Sequence, residues 1–294
     1  MFPDEATARD YLERRRWPDG PRCPVCGLGE RVTDRRAGFY RCNQCKEDFT
    51  VRTGTIFERS HVPLHKWIYA MYMLVTARKG VSSLQLSKQI GITQKSAWFV
   101  LHRLREACGD ELTKLQGIVE IDETYVGGIE ANKHEHKKLK AGRGTVGKTP
   151  VLGMRERGIG GKTIAMALTS TDAQTIQDAI VQRVEVGSML HTDEAAVYHA
   201  MGGLFFDHES VNHSEGEYVR DGATTNSIES VFAVLKRGLI GVYHHASEKH
   251  IGRYVDEFAF RLNDGDVKRH TLDRLDSLID AAEGKRLTYK RLIQ

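Results

Sequence analysis

Residues 117–126 read GIVEIDETYV, a short apolar stretch that is interrupted by acidic side chains. An apolar stretch of this length predicts a buried β-strand. Packing does not readily explain Asp122 in such a strand, because carboxylates are seldom buried unless they are paired or bound to a metal. We therefore treat Asp122 as a candidate metal ligand, with a buried salt bridge as the alternative role.

Further along the chain, apolar stretches and capping residues predict the elements that surround this strand. Their order is strand, strand, strand, helix, strand, helix, at residues 117–126, 150–155, 162–168, 172–183, 188–193 and 225–236. This is the order of a ribonuclease H-like α/β fold with a mixed sheet, in which the first and fourth strands lie side by side. Asp122 and Asp193 would then lie close together, and Glu229 on the last helix would complete a cluster of three acids. A helix N-cap is the alternative role for Asp193.

Four of the five cysteines form two C-x-x-C pairs, Cys23 with Cys26 and Cys42 with Cys45. Each pair can direct two thiolates at one ion, and two pairs complete the tetrahedral sulfur shell that suits Zn²⁺. A thioredoxin-like redox pair is the alternative, but it would not need a second copy. The sequence therefore predicts a structural zinc ribbon over residues 1–57.

Residues 58–115 are predicted to be helical, with two short helices separated by Gly-Ile-Thr at 91–93. Ser82 is placed as the N-cap of the first helix, with Gln85 three positions later, and Thr93 can cap the second. This spacing is typical of a helix-turn-helix that binds DNA, although an ordinary helical hairpin has the same pattern. The second helix would be the recognition helix, and its exposed side chains would be Gln94, Lys95, Ser96, His102 and Arg103.

The composition permits a nucleic-acid partner without requiring one. Lys and Arg number 43 and Asp and Glu 39, a formal net charge of +4. The longest apolar run, 67–75, is far shorter than the about 20 residues of a membrane-spanning helix. The N-terminus has no signal-peptide pattern. We expect a cytoplasmic, nucleoid-associated protein in which clustered cysteines are metal ligands instead of disulfides.

Five arginines of the ribbon could contact DNA or simply be solvated: Arg14, Arg15, Arg16, Arg35 and Arg36.

Five motifs resemble those of bacterial insertion-sequence transposases of the DDE type that carry an N-terminal zinc ribbon. They are IDETYVGG at 121–128, HTDE at 191–194, TNSIES at 225–230 followed by LKR at 235–237, GVYHH at 241–245 and YVDEFAFRLN at 254–263. The resemblance covers nearly the whole chain, including the ribbon. It implies a ribonuclease H-like fold, dependence on Mg²⁺ and movement of the element's own DNA.

The resemblance also implies roles for single residues. Asp122, Asp193 and Glu229 match the acidic triad of the family, which implies two Mg²⁺ ions per active site, with Mn²⁺ able to substitute. Lys236 matches the family's basic residue, and it lies about two helical turns after Glu229, on the same face. Asn226, one turn before Glu229, stands where some relatives use Asn as the third ligand. We favour Glu229, because a carboxylate binds a hard cation better than an amide does.

The implied reaction cuts the ends of the element and joins them to target DNA by hydrolysis and transesterification. Its partners would be the terminal inverted repeats, the target DNA and at least one further copy of the chain, since two ends must be paired. A catalytically inactive DNA-binding protein and a nuclease that cuts without joining are the alternatives. The predicted domains are a zinc ribbon, a helix-turn-helix-like segment, a catalytic domain and a C-terminal helical tail, at 1–57, 58–115, 116–265 and 266–294.

Overall fold

A computed structural model describes residues 2–109, 113–128, 134–139, 144–193, 207–211, 224–244 and 246–294. The chain forms two compact units. The first unit combines Met1–Cys108 with Asp264–Gln294, and the second is Gly109–Asn263. The segment predicted as a C-terminal tail is thus part of the same unit as the ribbon and the helical segment. In the described part of the chain, no helix is both long enough and apolar enough to span a membrane.

The first unit begins with a helix and a small antiparallel sheet. These elements are α1 (Glu5–Arg16), β1 (Val32–Arg36), β2 (Phe39–Cys42) and β3 (Asp48–Phe49), with the strands in the order β1-β2-β3. Trp17, directly after α1, packs edge-on against Tyr40 and Phe49, with ring centroids 5.5 and 5.7 Å away. This aromatic cluster gives the ribbon a core of its own, beside the turns that carry the cysteines.

Five further helices complete the first unit. They are α2 (Leu64–Thr76), α3 (Ser83–Ile90), α4 (Gln94–Cys108), α8 (Thr271–Asp280) and α9 (Tyr289–Ile293). The predicted caps of α3 and α4 are confirmed, since Ser82 Oγ accepts the Gln85 N–H at 3.1 Å and Thr93 Oγ1 accepts the Ser96 N–H at 3.2 Å. Gly91 ends α3 in the left-handed conformation, with φ of 61°, so the chain turns sharply between the two helices.

The prediction that α4 exposes His102 and Arg103 is wrong. The exposed fraction is 0% for His102 and 5% for Arg103. The Arg103 guanidinium donates to the carbonyl oxygens of Ile56 at 2.8 Å and Leu287 at 3.0 Å. The C-terminal segment covers this part of α4, and the periodicity of α4 alone cannot reveal such a distant contact. Gln94 and Lys95 are exposed and Ser96 is half-buried.

The second unit is a mixed α/β structure with a mixed sheet, as predicted, and this sheet has five strands among the described residues. Its strands follow the order β6-β5-β4-β7-β8, and β4 pairs antiparallel with β5 and parallel with β7. The sequence did not predict the edge strand β8. The elements are β4 (Ile118–Val126), β5 (Thr149–Glu156), β6 (Thr163–Ala167), α5 (Ala173–Arg183), β7 (Met189–Asp193), β8 (Asp207–Val211), α6 (Asn226–Gly238) and α7 (Glu248–Leu262).

Each face of this sheet packs against different helices. Val119, Ile121 and Leu190 share a buried cluster with Ile176 and Ile180 of α5. The opposite face packs against α6 and α7, through a second cluster that contains Val151, Ala165, Ile228, Phe232 and Phe258. Because side chains alternate along a strand, Asp122 lies on the face opposite to Ile121, which is the face that α6 covers.

Candidate metal and active sites

The four predicted cysteines converge on one point in the ribbon. Sγ of Cys23 lies 3.5 Å from that of Cys45, and the same distance separates Cys26 from Cys42. All four sulfurs lie within 4.8 Å of one another. Zn–S bonds of about 2.3 Å in a tetrahedron separate the sulfurs by about 3.8 Å, so the cluster fits a structural Zn²⁺ ion. Among the described residues, no other group of three or more His, Cys, Asp or Glu meets this distance criterion.

Backbone N–H groups favour the thiolate of Cys42, whereas burial and the neighbouring cysteine sulfurs raise the pKa values of Cys26 and Cys45 when no ion is bound. The pKa of Cys42 is lowered to about 6, first because the Cys45 backbone N–H donates to its sulfur and also because the Gln44 N–H does so. A thiolate is the form that binds zinc. Each C-x-x-C turn is followed by a residue in the left-handed region, with φ of 76° at Gly27 and 63° at Lys46. The two turns therefore use the same backbone geometry with different residues.

In the second unit, the strands that carry Asp122 and Asp193 lie side by side. The parallel register pairs Val119 with Leu190 and Glu120 with His191. Asp122 and Asp193 each lie two residues beyond Glu120 and His191. Side chains two residues apart on a strand point to the same face, so both carboxylates lie at neighbouring positions on the α6 face.

The charge around Asp122 reflects this arrangement. The pKa of Asp122 is raised to about 7, and burial of the carboxyl group is the largest cause. The negative charges of Asp193, Glu123 and Glu229 contribute to the rise, whereas the hydrogen bond that the Glu123 N–H donates at 2.7 Å opposes it. Asp193 and Glu229 are thus close enough to act electrostatically on Asp122, and the three predicted acids share one environment.

This environment suits a hard divalent cation. Carboxylate oxygens are the ligands that Mg²⁺ prefers, and a bound cation would offset the repulsion that raises the pKa of Asp122. The three acids do not bring one oxygen each within 4.8 Å of one another. The donor set therefore fits Mg²⁺ by its chemistry, while its spacing is wider than that of the cysteine cluster.

Helix α6 presents the other predicted site residues. Asn226, Glu229 and Lys236 are all exposed. Intervals of three and seven residues place them on one helical face. Asn226 opens the helix and Lys236 lies in its last turn. An exposed cation thus shares a face with the acid that acts electrostatically on Asp122.

Two residues of the site were not identified from the sequence. Gly153 on β5 pairs with Asp122, and α6 lies against it. Glu120, two residues before Asp122, is fully buried and accepts hydrogen bonds from the first turn of α6. The sequence contained one signal for Glu120. It is an acid two residues before Asp122 in the same strand, and this interval places both side chains on one face of the sheet.

Glu120 begins a row of charged side chains across the sheet. Arg157 Nε lies 3.2 Å from Glu120 Oε1, and Arg157 Nη1 lies 3.4 Å from His191 Nδ1. His191 Nε2 lies 3.5 Å from a carboxylate oxygen of Glu209 on β8. Burial lowers the pKa of His191, and the positive charge of Arg157 lowers it further. Glu120 and His191 of this row precede Asp122 and Asp193 by two residues on their strands, so the row lies beside the Asp122–Asp193 pair.

Some of the ribbon arginines are engaged within their own unit. Arg15 pairs with Asp276 at 3.0 Å and with Asp280 at 2.6 Å. Arg16 pairs with Glu283 at 3.0 Å and donates to backbone carbonyls of the ribbon. Arg35 and Arg36 on β1 are exposed. Of the five arginines considered for DNA contact, those on β1 are therefore better placed than Arg15 and Arg16.

Two solved structures align weakly with the chain. The cryo-EM structure of a simian T-cell lymphotropic virus intasome in complex with PP2A regulatory subunit B56 gamma has a TM-score of 0.30, at 14% identity over 65% of each chain. The crystal structure of a pre-cleavage Mos1 transpososome has a TM-score of 0.25, at 10% identity over 96% of this chain and 99% of that chain. Scores this low carry no argument about the fold.

The sequence comparisons are specific. A protein of the transposable element ISH50 of Halobacterium salinarum, described as uncharacterized, is 30% identical over 275 residues, which cover 88% of this chain and 91% of that protein. The family model of the ISXO2-like transposase domain matches residues 114–263, and that of the transposase zinc-ribbon domain matches residues 3–48. The chain therefore belongs to the family of ISXO2-like transposases, with a transposase zinc ribbon at its N-terminus.

Proposed function

We propose that this chain is the transposase of an insertion sequence, which cuts the ends of its own element and joins them to target DNA. The observation that carries the proposal is the shared environment of three acids. Asp122 and Asp193 occupy neighbouring positions on one sheet face, and the charge of Glu229 contributes to raising the pKa of Asp122 to about 7. Acids gathered in this way are suited to metal-dependent phosphodiester chemistry.

In this proposal, Asp122, Asp193 and Glu229 hold two Mg²⁺ ions, or Mn²⁺ in their place. When bound, these ions supply activation of the attacking water or 3′-hydroxyl and neutralisation of charge on the phosphate. Lys236 holds a phosphate of the DNA on the same helical face as Glu229. Asn226 acts as a further ligand or as a DNA contact. No side chain is required as a covalent nucleophile.

The first unit would bind the DNA ends. Helices α3 and α4 have confirmed caps and are separated by three residues, a spacing that is typical of a helix-turn-helix, and the exposed start of α4 carries Gln94 and Lys95. Arg35 and Arg36 on the ribbon add exposed positive charge. Because two ends must be held together, we propose at least a dimer on DNA, acting in the cytoplasm in association with the nucleoid.

The test is cleavage and strand transfer on DNA that carries the element's own ends, in the presence of Mg²⁺. Wild type is compared with Asp122→Ala, Asp193→Ala and Glu229→Ala. Asp178→Ala is the matched control, because Asp178 is an exposed acid on α5, the helix that packs on the opposite sheet face. We expect joined products from wild type and the control and none from the three site variants.

Other outcomes would replace the proposal with a different function. If wild type binds the ends but never nicks them with Mg²⁺ or Mn²⁺, the chain is a DNA-binding protein without catalytic activity. If it nicks the ends without joining them, it is a nuclease. Asn226→Ala separates the two candidates for the third ligand, since loss of nicking in this variant with retention in Glu229→Ala would assign the role to Asn226.

A further inference from the structure

We infer that Glu120 is a positioning residue, which clamps the start of α6 and thereby sets where the helix presents Glu229 to Asp122. The clamp consists of the Glu120 carboxylate and the first-turn residues Ser227 and Ile228. The inference rests on the proposed function, in which Glu229 and Asp122 hold metal together. Glu120 lies outside the acidic triad. The geometry of the triad would therefore depend on the buried contact between Glu120 and the first turn of α6.

The contacts of Glu120 are directed at backbone groups that the helix leaves unpaired. Glu120 Oε2 accepts the N–H of Ser227 at 2.9 Å and that of Ile228 at 3.2 Å. Glu120 Oε1 accepts the Ser227 hydroxyl at 3.1 Å. The first N–H groups of a helix have no partner within it. Thr224 Oγ1 accepts the N–H of Asn226 at 3.2 Å, so a local side chain caps only the first of these groups. The next two are capped by Glu120, from a strand 107 residues earlier.

Electrostatics favours a carboxylate at this position. The exposed fraction of Glu120 is 0%, so it lacks the water that would otherwise solvate it. The positive end of the helix dipole lies at the start of α6, and Arg157 Nε lies 3.2 Å from Glu120 Oε1. Three donated hydrogen bonds and one ion pair therefore satisfy a buried group that would be costly if left unpaired. A neutral or shorter side chain would lose part of this set.

The clamp lies directly behind the proposed site. On β4, Glu120 and Asp122 are two residues apart and face α6, about 7 Å from each other along the strand. On α6, Ser227 and Glu229 are also two residues apart, about 3 Å along the helix axis. Fixing Ser227 against Glu120 therefore fixes the approach of Glu229 to Asp122. Gly153 is a second fixed point, because Ile228 and Phe232 of α6 lie where a side chain at 153 would be.

The experiment compares Glu120→Ala, Glu120→Gln and Ser227→Ala in the full-length chain without DNA. Glu257→Gln is the matched control, because Glu257 is also a buried acid of this unit, bonded to Tyr243 at 2.6 Å and to Arg261, away from the first turn of α6. Two quantities are measured besides the unfolding temperature. They are amide hydrogen exchange over residues 226–231 and Mn²⁺ affinity by electron paramagnetic resonance.

We expect faster exchange in the first turn of α6 and Mn²⁺ binding that is weaker by about 10-fold or more in Glu120→Ala, the size of effect seen when groups behind metal ligands are lost. Glu120→Gln keeps the length and one acceptor oxygen, so it should rescue part of both effects. Ser227→Ala removes one bond and should have the smallest effect. Glu257→Gln should lower the unfolding temperature while both measurements stay at wild-type values.

Two results would overturn the inference. One is a folded Glu120→Ala or Glu120→Gln protein with wild-type exchange in α6 and wild-type Mn²⁺ affinity. The other is equal loss of Mn²⁺ affinity in Glu257→Gln, since that would reduce the effect to general destabilisation. Asp122→Ala and Asp193→Ala are measured alongside. If they bind Mn²⁺ as wild type does, the proposed metal site fails, whereas the exchange data still report on the clamp.

Discussion

Gly153 lies directly opposite Asp122 in the antiparallel pairing of β5 with β4, on the sheet face that α6 covers. A Cβ atom at residue 153 would come within 2.6 Å of Phe232 Cζ and 2.7 Å of Ile228 Cδ1. Both distances are shorter than the contacts that real Cβ atoms make. The lack of a side chain at Gly153 therefore lets α6 lie close to the strand that carries Asp122.

Substitution of Gly153 by alanine should destabilise the second unit by about 1–3 kcal/mol, the usual range for overpacking a core. It should also weaken Mn²⁺ binding, because α6 must move away from Asp122. Urea unfolding and Mn²⁺ titration measure the two effects. Gly241→Ala is the control, since nothing lies within 4 Å of a Cβ at that position. Wild-type stability in Gly153→Ala would show that Phe232 and Ile228 give way freely.

Removal of one zinc ligand should unfold the ribbon without unfolding the second unit. Cys42→Ser is expected to contain less than one zinc per chain and to become sensitive to protease over residues 1–57, because a structural zinc site contributes directly to folding. Cys108→Ser should keep full zinc, since Cys108 is a buried residue of α4 outside the cluster. Zinc analysis and limited proteolysis provide the measurements. Full zinc retention in Cys42→Ser would contradict the assignment.

Substitution of Lys46 by glycine should stabilise the turn that follows the second C-x-x-C pair. Lys46 is exposed and has φ of 63°, a conformation that costs a residue with a Cβ about 1 kcal/mol or more. Lys46→Gly should therefore stabilise the ribbon by about that amount, less the added backbone entropy of glycine in the unfolded chain. Gly27→Ala, at the matching position of the first turn, should destabilise it. Thermal unfolding of the zinc-loaded protein compares the two, and equal effects of the same sign would contradict the prediction.

The contribution of Asp122 to the stability of the Mg²⁺-free protein should fall as the pH rises from about 4 to about 7. The pKa of Asp122 is raised from 3.8 to about 7 in the folded chain, so over this range the folded state keeps a proton that the unfolded state has released. This stabilising contribution is fully present below the unfolded pKa and is lost as the pH passes the folded pKa. Above about pH 7 the effect should level off.

Asp122→Asn provides the comparison for this pH dependence, because asparagine does not ionise. The difference in unfolding free energy between wild type and Asp122→Asn should shrink or reverse in favour of the variant as the pH rises from about 4 to about 7. Addition of Mg²⁺ at pH 8 should stabilise wild type and leave the variant little changed, since the cation binds the folded form. A difference that does not vary with pH would contradict the raised pKa.

Substitutions at two positions of α4 should have different effects. A change at Arg103 should mainly lower stability, and a change at Lys95 should mainly weaken DNA binding. Arg103→Met leaves the carbonyl oxygens of Ile56 and Leu287 without this donor, so it should cost about 2–3 kcal/mol. Lys95→Ala should cost no more than about 1 kcal/mol, because Lys95 is exposed and the structure gives it one cation–π contact, with Nζ 5.0 Å from the centroid of the Tyr289 ring. It should nevertheless weaken binding to the element ends. Urea unfolding and gel mobility shifts test both, and a stable Arg103→Met with weakened DNA binding would contradict this division.

Local patterns in the sequence were sufficient for the zinc cluster and for most elements. The type and spacing of the cysteines specify a sulfur shell within two short turns, and each cap of α3, α4 and α5 involves residues three positions apart. The adjacency of the strands carrying Asp122 and Asp193 followed from the order of elements, and the parallel pairing of β4 with β7 confirms it. The catalytic roles of Asp122, Asp193, Glu229, Lys236 and Asn226 stay predictions.

The sequence by itself thus determined the chemistry available to this protein: a thiolate cluster, a set of acids and the elements that carry them. The tertiary structure decided how those elements meet. It placed Glu120 under the first turn of α6, Gly153 against Phe232 and Arg103 beneath the C-terminal segment. These contacts join residues that are far apart in the chain, and they depend on strand register and helix docking. Periodicity records only which side of an element is apolar, so it could not identify the partner on that side.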